Sequence, residues 1–372
     1  MDTNNRETRI SERMARSVMS RYASEQVQWH YEHGLVLQSI WAVAESLGDS
    51  GMKDWVAVMY DSKIRDDGSI STYRDDEFNL DQINPGKALF DLYAATGKEK
   101  YRKAIETLRD QLRAHPRTRT GGFWHKKIYP WQMWLDGLYM QGPFYARYAA
   151  EFGSREDFAD VVNQFVLVEK HARDPATGLM YHAWDESGKQ LWANPATGCS
   201  PHFWGRAMGW FCMAVLDTLR WIPRDGGFGD LSAPLVAMAR RLVPAVLSCQ
   251  DGESGLWYQV LDQPKRERNY LESSASAMFV DFLFRAARSG YAEDPERALS
   301  AARRGYEGLV RSRLEEDADG KLHLTGICSV AGLGGNPYRD GSFDYYVKEA
   351  IVTDDFKGVG PFILASLEAE RI

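Results

Sequence analysis

Four times along this chain a helical pattern ends and a glycine opens a short aromatic or aliphatic segment. After the helix ending near His115 comes Gly121-Gly-Phe-Trp-His125, and after Arg173 comes Gly178-Leu-Met-Tyr-His182. After Cys249 comes Gly255-Leu-Trp-Tyr-Gln259, and after Leu314 comes Gly320-Lys-Leu-His-Leu324. Each is a turn glycine, a short extended segment, a polar loop and then another helix. One supersecondary unit recurring at this spacing is the mark of a closed helical array. Elsewhere apolar residues recur at helical spacing, in 7–23, 30–48, 51–63, 84–97, 98–114, 134–152, 154–172, 204–222, 231–249, 272–289, 293–313 and 358–370. Gly34, Gly48, Gly97, Gly153 and Gly290 fall at or near the joins. About twelve helices with little strand predict an all-α toroid of alternating inner and outer helices. No Pro/Ser-rich linker interrupts the chain, so residues 1–372 read as one domain. The four loops each join an outer helix to the next inner one and should gather at one mouth, where sites tend to be built. Short strands capping the core would explain their glycines and aliphatics. They would not explain why His, Trp and Tyr recur at matching positions.

The stretch from Gly121 to Arg147 carries the most chemistry. An aromatic and basic loop (Phe123, Trp124, His125, Lys126, Lys127, Tyr129, Trp131) runs past Pro130 into a helix whose carboxylate, Asp136, lies among Trp134, Leu135, Tyr139 and Met140. The helix dipole favours an anion near the first turn, while aromatic surroundings push a carboxyl pKa up, as general-acid chemistry requires. Capping the helix is the plainer role for Asp136. Asp81, ahead of Asn84-Pro85-Gly86, is in the same position: a helix cap or a site residue. His202, Trp204, Arg206 and Trp210 open another helix, where Arg206 suits a substrate carboxylate or else a neighbouring Asp or Glu. Trp29, His30, Tyr31, Glu32 and His33 lack the HExxH arrangement of a zinc site, so no metal is expected. Ser273 or Ser274 reads as the cap of a further helix. No nucleophile elbow surrounds them, and Gly358-Val-Gly360 is no phosphate-binding loop, so no cofactor is expected.

Composition excludes some partners. A net charge of −7 leaves no basic region for nucleic acid. No apolar run appears long enough for a bilayer, and the polar N-terminus lacks the core of a signal peptide. Cys199, Cys212, Cys249 and Cys328 are scattered, suggesting neither a disulfide framework nor a zinc site. A reducing cytoplasm is the expected location, with the protein a monomer or homodimer. Twelve Trp and eighteen Tyr suit a cleft that holds flat apolar faces.

The segments NLDQINPGKALFDLY, PWQMWLDGLYMQGPFYARYA, WGRAMGWFCMAVLDTL, YLESSASAMFVDFLFRA and DDFKGVGPFILA together resemble the unsaturated rhamnogalacturonyl hydrolases, glycoside hydrolase family 105. Those enzymes are related to the unsaturated glucuronyl hydrolases of family 88. The resemblance runs from about Trp29 to the C-terminus, and MWLDGLYM and LESSASAMF are its most specific pieces. It implies a six-hairpin (α/α)6 barrel with short strands and loops at one mouth. It also implies hydrolysis of a disaccharide with a 4,5-unsaturated uronic acid at its non-reducing end. By the same resemblance Asp136 is the catalytic acid and Asp81 its companion. His182, Arg206 and Trp210 line the uronate pocket, with Trp204, His125 and Trp134 nearby. Trp29 and Tyr31 come from a looser match.

In the implied reaction Asp136 protonates C4 of a vinyl ether conjugated to a carboxylate. Its carboxylate then activates a water that adds at C5, and the hemiketal opens and releases the sugar. Repulsion from Asp81 would help keep Asp136 protonated. Four other readings remain open at this point: an unsaturated glucuronyl hydrolase, an inverting glycosidase on saturated substrates, a non-catalytic glycan-binding barrel, and an epimerase using His125 and His182 across the cleft.

Overall fold

In this computed structural model, which describes residues 9–371, the predicted helices are found within a few residues of their expected limits. In chain order they are α1 (Ile10–Arg21), α2 (Tyr31–Leu47), α3 (Ser50–Asp61), α4 (Lys87–Thr96), α5 (Glu99–Ala114), α6 (Leu135–Glu151) and α7 (Arg155–Ala172). There follow α8 (Gly205–Leu219), α9 (Gly229–Ser248), α10 (Ser273–Arg288), α11 (Pro295–Arg313), the one-turn α12 (Phe343–Tyr346) and α13 (Phe356–Ala369). Positions 7 and 8 of the first predicted helix lie outside the described residues.

An inner ring runs through α2, α4, α6, α8, α10 and α13, each packed on the next, and α13 returns to α2. Outside it, α3, α5, α7, α9 and α11 each pack on the inner helix they follow. The sixth outer place is taken by α1, packed on α13, so the last hairpin is assembled from the two ends of the chain. Ser11 fastens that join: its N–H and Oγ donate to the Glu370 carboxylate at 2.9 and 2.6 Å. This is an (α/α)6 barrel.

Sequence decides which helix goes where. In α5 the buried residues Tyr101, Ala104, Ile105, Leu108 and Leu112 fall on one face, and the charged residues on the other meet water. Inner helices are apolar nearly all round: α8 is buried from Gly205 to Leu216, and α10 from Ser273 to Phe284. Inner helices also carry glycines where they touch. A Cβ on Gly34 would lie 2.5 Å from the Pro85 Cα, so only glycine lets α2 approach the turn that leads into α4.

Three short antiparallel ladders sit on the loops: β1 (Gln132–Trp134) with β2 (Ala183–Asp185), β3 (Leu314–Glu316) with β4 (Leu322–Leu324), and β5 (Ile327–Cys328) with β6 (Ile351–Val352). The repeated segments fold back on the ends of the outer helices before them, pairing Arg117 with Phe123, Arg173 with Met180, Gln250 with Trp257, and Leu314 with Leu324. Gly121, Gly178, Gly255 and Gly320 turn each hairpin at φ between 75° and 96°. A fifth hairpin, Ile64 with Ile70 around Gly68, follows α3. The sequence hid it because no aromatic residue follows that glycine.

Three sequence readings need correction. The cap of α10 is neither serine but Glu272, whose carboxylate accepts from the Ser274 and Ala275 N–H groups. Between Pro130 and the helix that bears Asp136 stands β1. Finally, α9 is long and apolar enough, by length and composition, to cross a membrane. Here its Leu235, Met238, Ala239, Leu242 and Val246 are buried, it packs on α7 and α8, and Arg241 pairs with Glu169. That buried face supplies the apolar content.

Candidate active site

Tyr31, Asp136, Arg206 and Ser274 all lie at or near the N-terminal ends of inner helices, so the positive ends of those helix dipoles converge on one mouth. Asp136 is the second residue of α6, and no side chain caps this helix. Its Oδ2 is buried and has no hydrogen-bond partner. His182 Nε2 lies 3.2 Å from it, not aligned for a hydrogen bond. A cap would have its oxygen on a backbone N–H. Asp136 is therefore not a cap.

His182 is wholly buried, and its Nδ1 lies 2.8 Å from the Tyr346 hydroxyl. Burial raises the Tyr346 pKa far above the ordinary phenol value, so the hydroxyl keeps its proton. When that hydroxyl donates to Nδ1, the imidazole proton sits on Nε2, facing Asp136.

Asp81 is differently placed. Asn79 caps its one-turn 3-10 helix by accepting from the Asp81 N–H, which frees the Asp81 carboxylate for the mouth. Its Oδ2 is 2.5 Å from Lys126 Nζ, and its Oδ1 is 3.7 Å from His125 Nε2. Burial works to raise this carboxyl, but the charges of Lys126, His125 and His30 and the Lys126 hydrogen bond outweigh it and hold the pKa at about 2. Much of the charge expected to repel Asp136 is thus neutralised by Lys126. That correction turns on a residue the sequence left without a role.

His125 is buried, and the loss of solvation lowers its pKa to about 4 against the pull of Asp81. Trp134 stacks on His125 at 4.6 Å, lies 4.9 Å from Tyr129, and turns an edge to His182 at 5.3 Å. Trp134 therefore stands between the two histidines, which speaks against a pair facing each other across a cleft.

Arg206 is completely buried rather than presented to the mouth. One Nη donates to the Cys328 carbonyl, the other lies 3.4 Å from the Ser329 carbonyl, and Nε has no partner. Of the expected partners, no Asp or Glu pairs with it among the described residues; backbone carbonyls and Ser274 Oγ hold the guanidinium against the Trp204 ring at 4.9 Å. The tryptophans also sit deeper than expected. Trp204, 1% exposed, donates to Gln259 Oε1 and stacks parallel to Tyr346. Trp210, also 1% exposed, lies between Tyr31 and Tyr139 as a floor. Trp29 donates its indole N–H to the Gln82 carbonyl and pins the start of α2 to the turn that carries Asp81. Tyr31 remains in the mouth, where the charges of Glu32, Asp81, Arg206 and Asp136 all act on it.

Lys126 and Tyr346 are the residues sequence reasoning missed. Lys126 was visible in a basic loop, but nothing in the order of residues pairs it with Asp81. Tyr346 comes from α12, 164 residues away from the histidine it touches. Two non-glycine residues in these loops, Phe78 and Trp131, hold positive φ, at 39° and 67°, a strain of the kind that collects around functional sites. Among the described residues no three His, Cys, Asp or Glu side chains are grouped to hold a metal, and all four cysteines are free.

The sequence profile of Glycosyl Hydrolase Family 88 matches residues 10–372. A family 105 glycoside hydrolase from C. acetobutylicum ATCC 824 superimposes with a TM-score of 0.93 at 46% identity, covering 98% of this chain and 100% of that one. Unsaturated rhamnogalacturonyl hydrolase YesR of Bacillus subtilis (strain 168) is 31% identical over 230 residues, which is 60% of this chain and 62% of that protein. The unsaturated glucuronyl hydrolase of Bacillus sp. GL1, at 16% identity and a TM-score of 0.69 over 97% of this chain and 95% of that one, shares the fold. The chain belongs to Glycosyl Hydrolase Family 88, is similar to family 105 enzymes along its whole length, and is a glycoside hydrolase.

Proposed function

We propose that this enzyme hydrolyses disaccharides bearing a 4,5-unsaturated uronic acid at the non-reducing end, with unsaturated galacturonyl-rhamnose as the substrate. The observation that carries the reading is the division of labour between two carboxylates. Asp81 is committed to Lys126 and stays ionised, whereas Asp136 has an unpartnered oxygen beside His182. One acid is free to move a proton; the other is a fixed charge.

Asp136 transfers its proton to C4, and the positive charge that develops is shared by C5 and the ring oxygen. The Asp136 carboxylate then takes a proton from water as its oxygen bonds to C5. The hemiketal opens at the C5–ring oxygen bond, giving a 5-keto acid, and the former anomeric carbon releases rhamnose. His182, with its tautomer fixed by Tyr346, donates from Nε2 toward Asp136 once the carboxylate is ionised. The buried Arg206 charge and the helix N-termini favour the uronate. No carboxylate attacks the anomeric carbon, so this differs from paired-carboxylate glycoside hydrolysis. The name of the YesR relative supports the rhamnose half of the proposal. The four free cysteines support a reducing compartment such as the cytoplasm.

The test follows loss of the double-bond absorbance on unsaturated galacturonyl-rhamnose. Wild type should bleach it and release rhamnose. Asp136→Asn should lose about 10²–10⁴ in kcat with KM little changed, the usual range for removing a general acid. Bleaching only of unsaturated glucuronyl substrates would move the enzyme to that class. An Asp136→Asn variant as active as wild type would remove Asp136 from the chemistry.

A further inference from the structure

The inner helices whose N-terminal ends carry Asp136 and the buried Arg206 near one mouth end at the other around a second cavity, of about 430 Å³. Trp210, between Tyr31 and Tyr139, separates the two: Tyr31 belongs to the active mouth, and Tyr139 lines the rear cavity. The volume is in the range of small-molecule sites, and nothing in the reaction above uses it.

Its lining is chemically divided. Deep in it are the Tyr139 ring and acceptors: Asp217 and Asp281, both bridged by Arg285 at 2.6 and 3.0 Å, and Gln38, whose buried Oε1 has no partner. Asp281 and Tyr139 are almost completely buried. Five arginines line the cavity against three carboxylates. Arg288 and Arg371 both pair with Glu368. Arg220 and Arg224, on the exposed segment after α8, have no carboxylate partner among the described residues. Helix C-termini attract arginines by themselves, and that accounts for cations at this end. It does not account for a cavity with an aromatic base, a buried orphan acceptor and unpaired guanidinium groups together.

We propose that the rear cavity binds a small polyhydroxylated anion, a monosaccharide carrying one acidic group. Its hydroxyls donate to Asp217 and Gln38 above the buried Tyr139 and Asp281, and its anionic group is held by Arg220 and Arg224. A guanidinium fork suits carboxylate and phosphate alike, so the acid is either a sugar carboxylate or a sugar phosphate. This assignment is independent of which disaccharide the front mouth cleaves.

Calorimetric titration of the whole protein with galacturonate and with glucose 6-phosphate tests it, using Arg220→Ser/Arg224→Ser and Asp136→Asn as variants. Both arginines are exposed, so their replacement leaves the barrel packing alone. At least one ligand should bind wild type and Asp136→Asn alike and bind the double arginine variant at least about tenfold more weakly. Loss for the phosphate alone assigns a sugar phosphate, and loss for galacturonate alone assigns a sugar acid. Equal binding by the double variant, or no binding of either ligand to wild type, overturns the site.

Discussion

At the scale of single residues, the site depends on partners that come from far along the chain. In the proposed mechanism Tyr346 sets the His182 tautomer, so its loss should act through that imidazole. Tyr346→Phe removes the donor at Nδ1 while keeping the ring that stacks on Trp204. Turnover should fall by about tenfold with KM little changed, because the imidazole that faces Asp136 loses the group that orients it. A raised KM with kcat unchanged would make Tyr346 a packing residue. Lys126 is the counterpart for Asp81. Lys126→Met leaves a buried carboxylate unpaired, and stability should drop by about 1–3 kcal/mol, less than for a fully buried pair because the Lys126 side chain is 22% exposed. The sign follows from the depressed pKa. In wild type Asp81 adds stability above the ordinary carboxylate value, and this is lost as pH falls toward about 2. The variant's deficit should therefore be present at pH 7 and shrink near pH 3, as denaturant midpoints at the two pH values would show. That Asp136, Asp81, His182 and His125 gather at one mouth was legible from the repeats and the resemblance. Lys126 and Tyr346 were not, because a salt bridge and a cross-barrel hydrogen bond leave no periodic trace in the sequence.

At the scale of elements, helix periodicity and turn glycines foretold nearly every helix, while caps and loop pairings were misread. Glu272 shows why. A serine at the start of a helix is the commoner cap, yet here the buried Glu272 carboxylate also accepts from the Cys328 N–H, so it ties the start of α10 to β5 as well. That second task depends on a distant strand. Gly34 makes the same point for packing. On sequence it is a glycine near a helix join; in the structure it lets α2 press against Pro85, four residues after Asp81. Gly34→Ala places a Cβ against backbone that has no side-chain freedom to yield. It should cost about 1–3 kcal/mol by overpacking and lower kcat, because the Asp81 turn must shift. Thermal unfolding and turnover measured together would check this. A stable variant with normal kcat would show that the two elements separate without consequence.

At the scale of the whole molecule, closing the ring with both chain ends buries groups whose titration then belongs to folding. His33, His115 and His125 come from three different segments, and in each burial lowers the pKa to about 4. Between the ordinary histidine value near 6.5 and about 4, the unfolded chain binds protons that the folded barrel refuses, so stability must fall as pH falls through that window. A fully buried histidine contributes up to about 1.4 kcal/mol per pH unit. His115 and His125, 4% and 3% exposed, approach that figure, while the half-buried His33 contributes less. The depressed carboxylates such as Asp81 act lower, below about 4. His323, raised by its hydrogen bond to Asp354, acts in the opposite sense and above 6.5. In the interval from 6.5 to 4, His171 and His202, also lowered by burial, act with these three, and Asp281, raised by burial, acts against them, so the histidines are the more numerous groups there. Urea midpoints should decline steadily from pH 7 to pH 4.5, and His115→Gln should flatten the decline by removing one of the protons. Midpoints that hold constant or rise on acidification would mean that these rings are charged inside the fold, and the neutral His125 beside Asp81 would have to be abandoned with them.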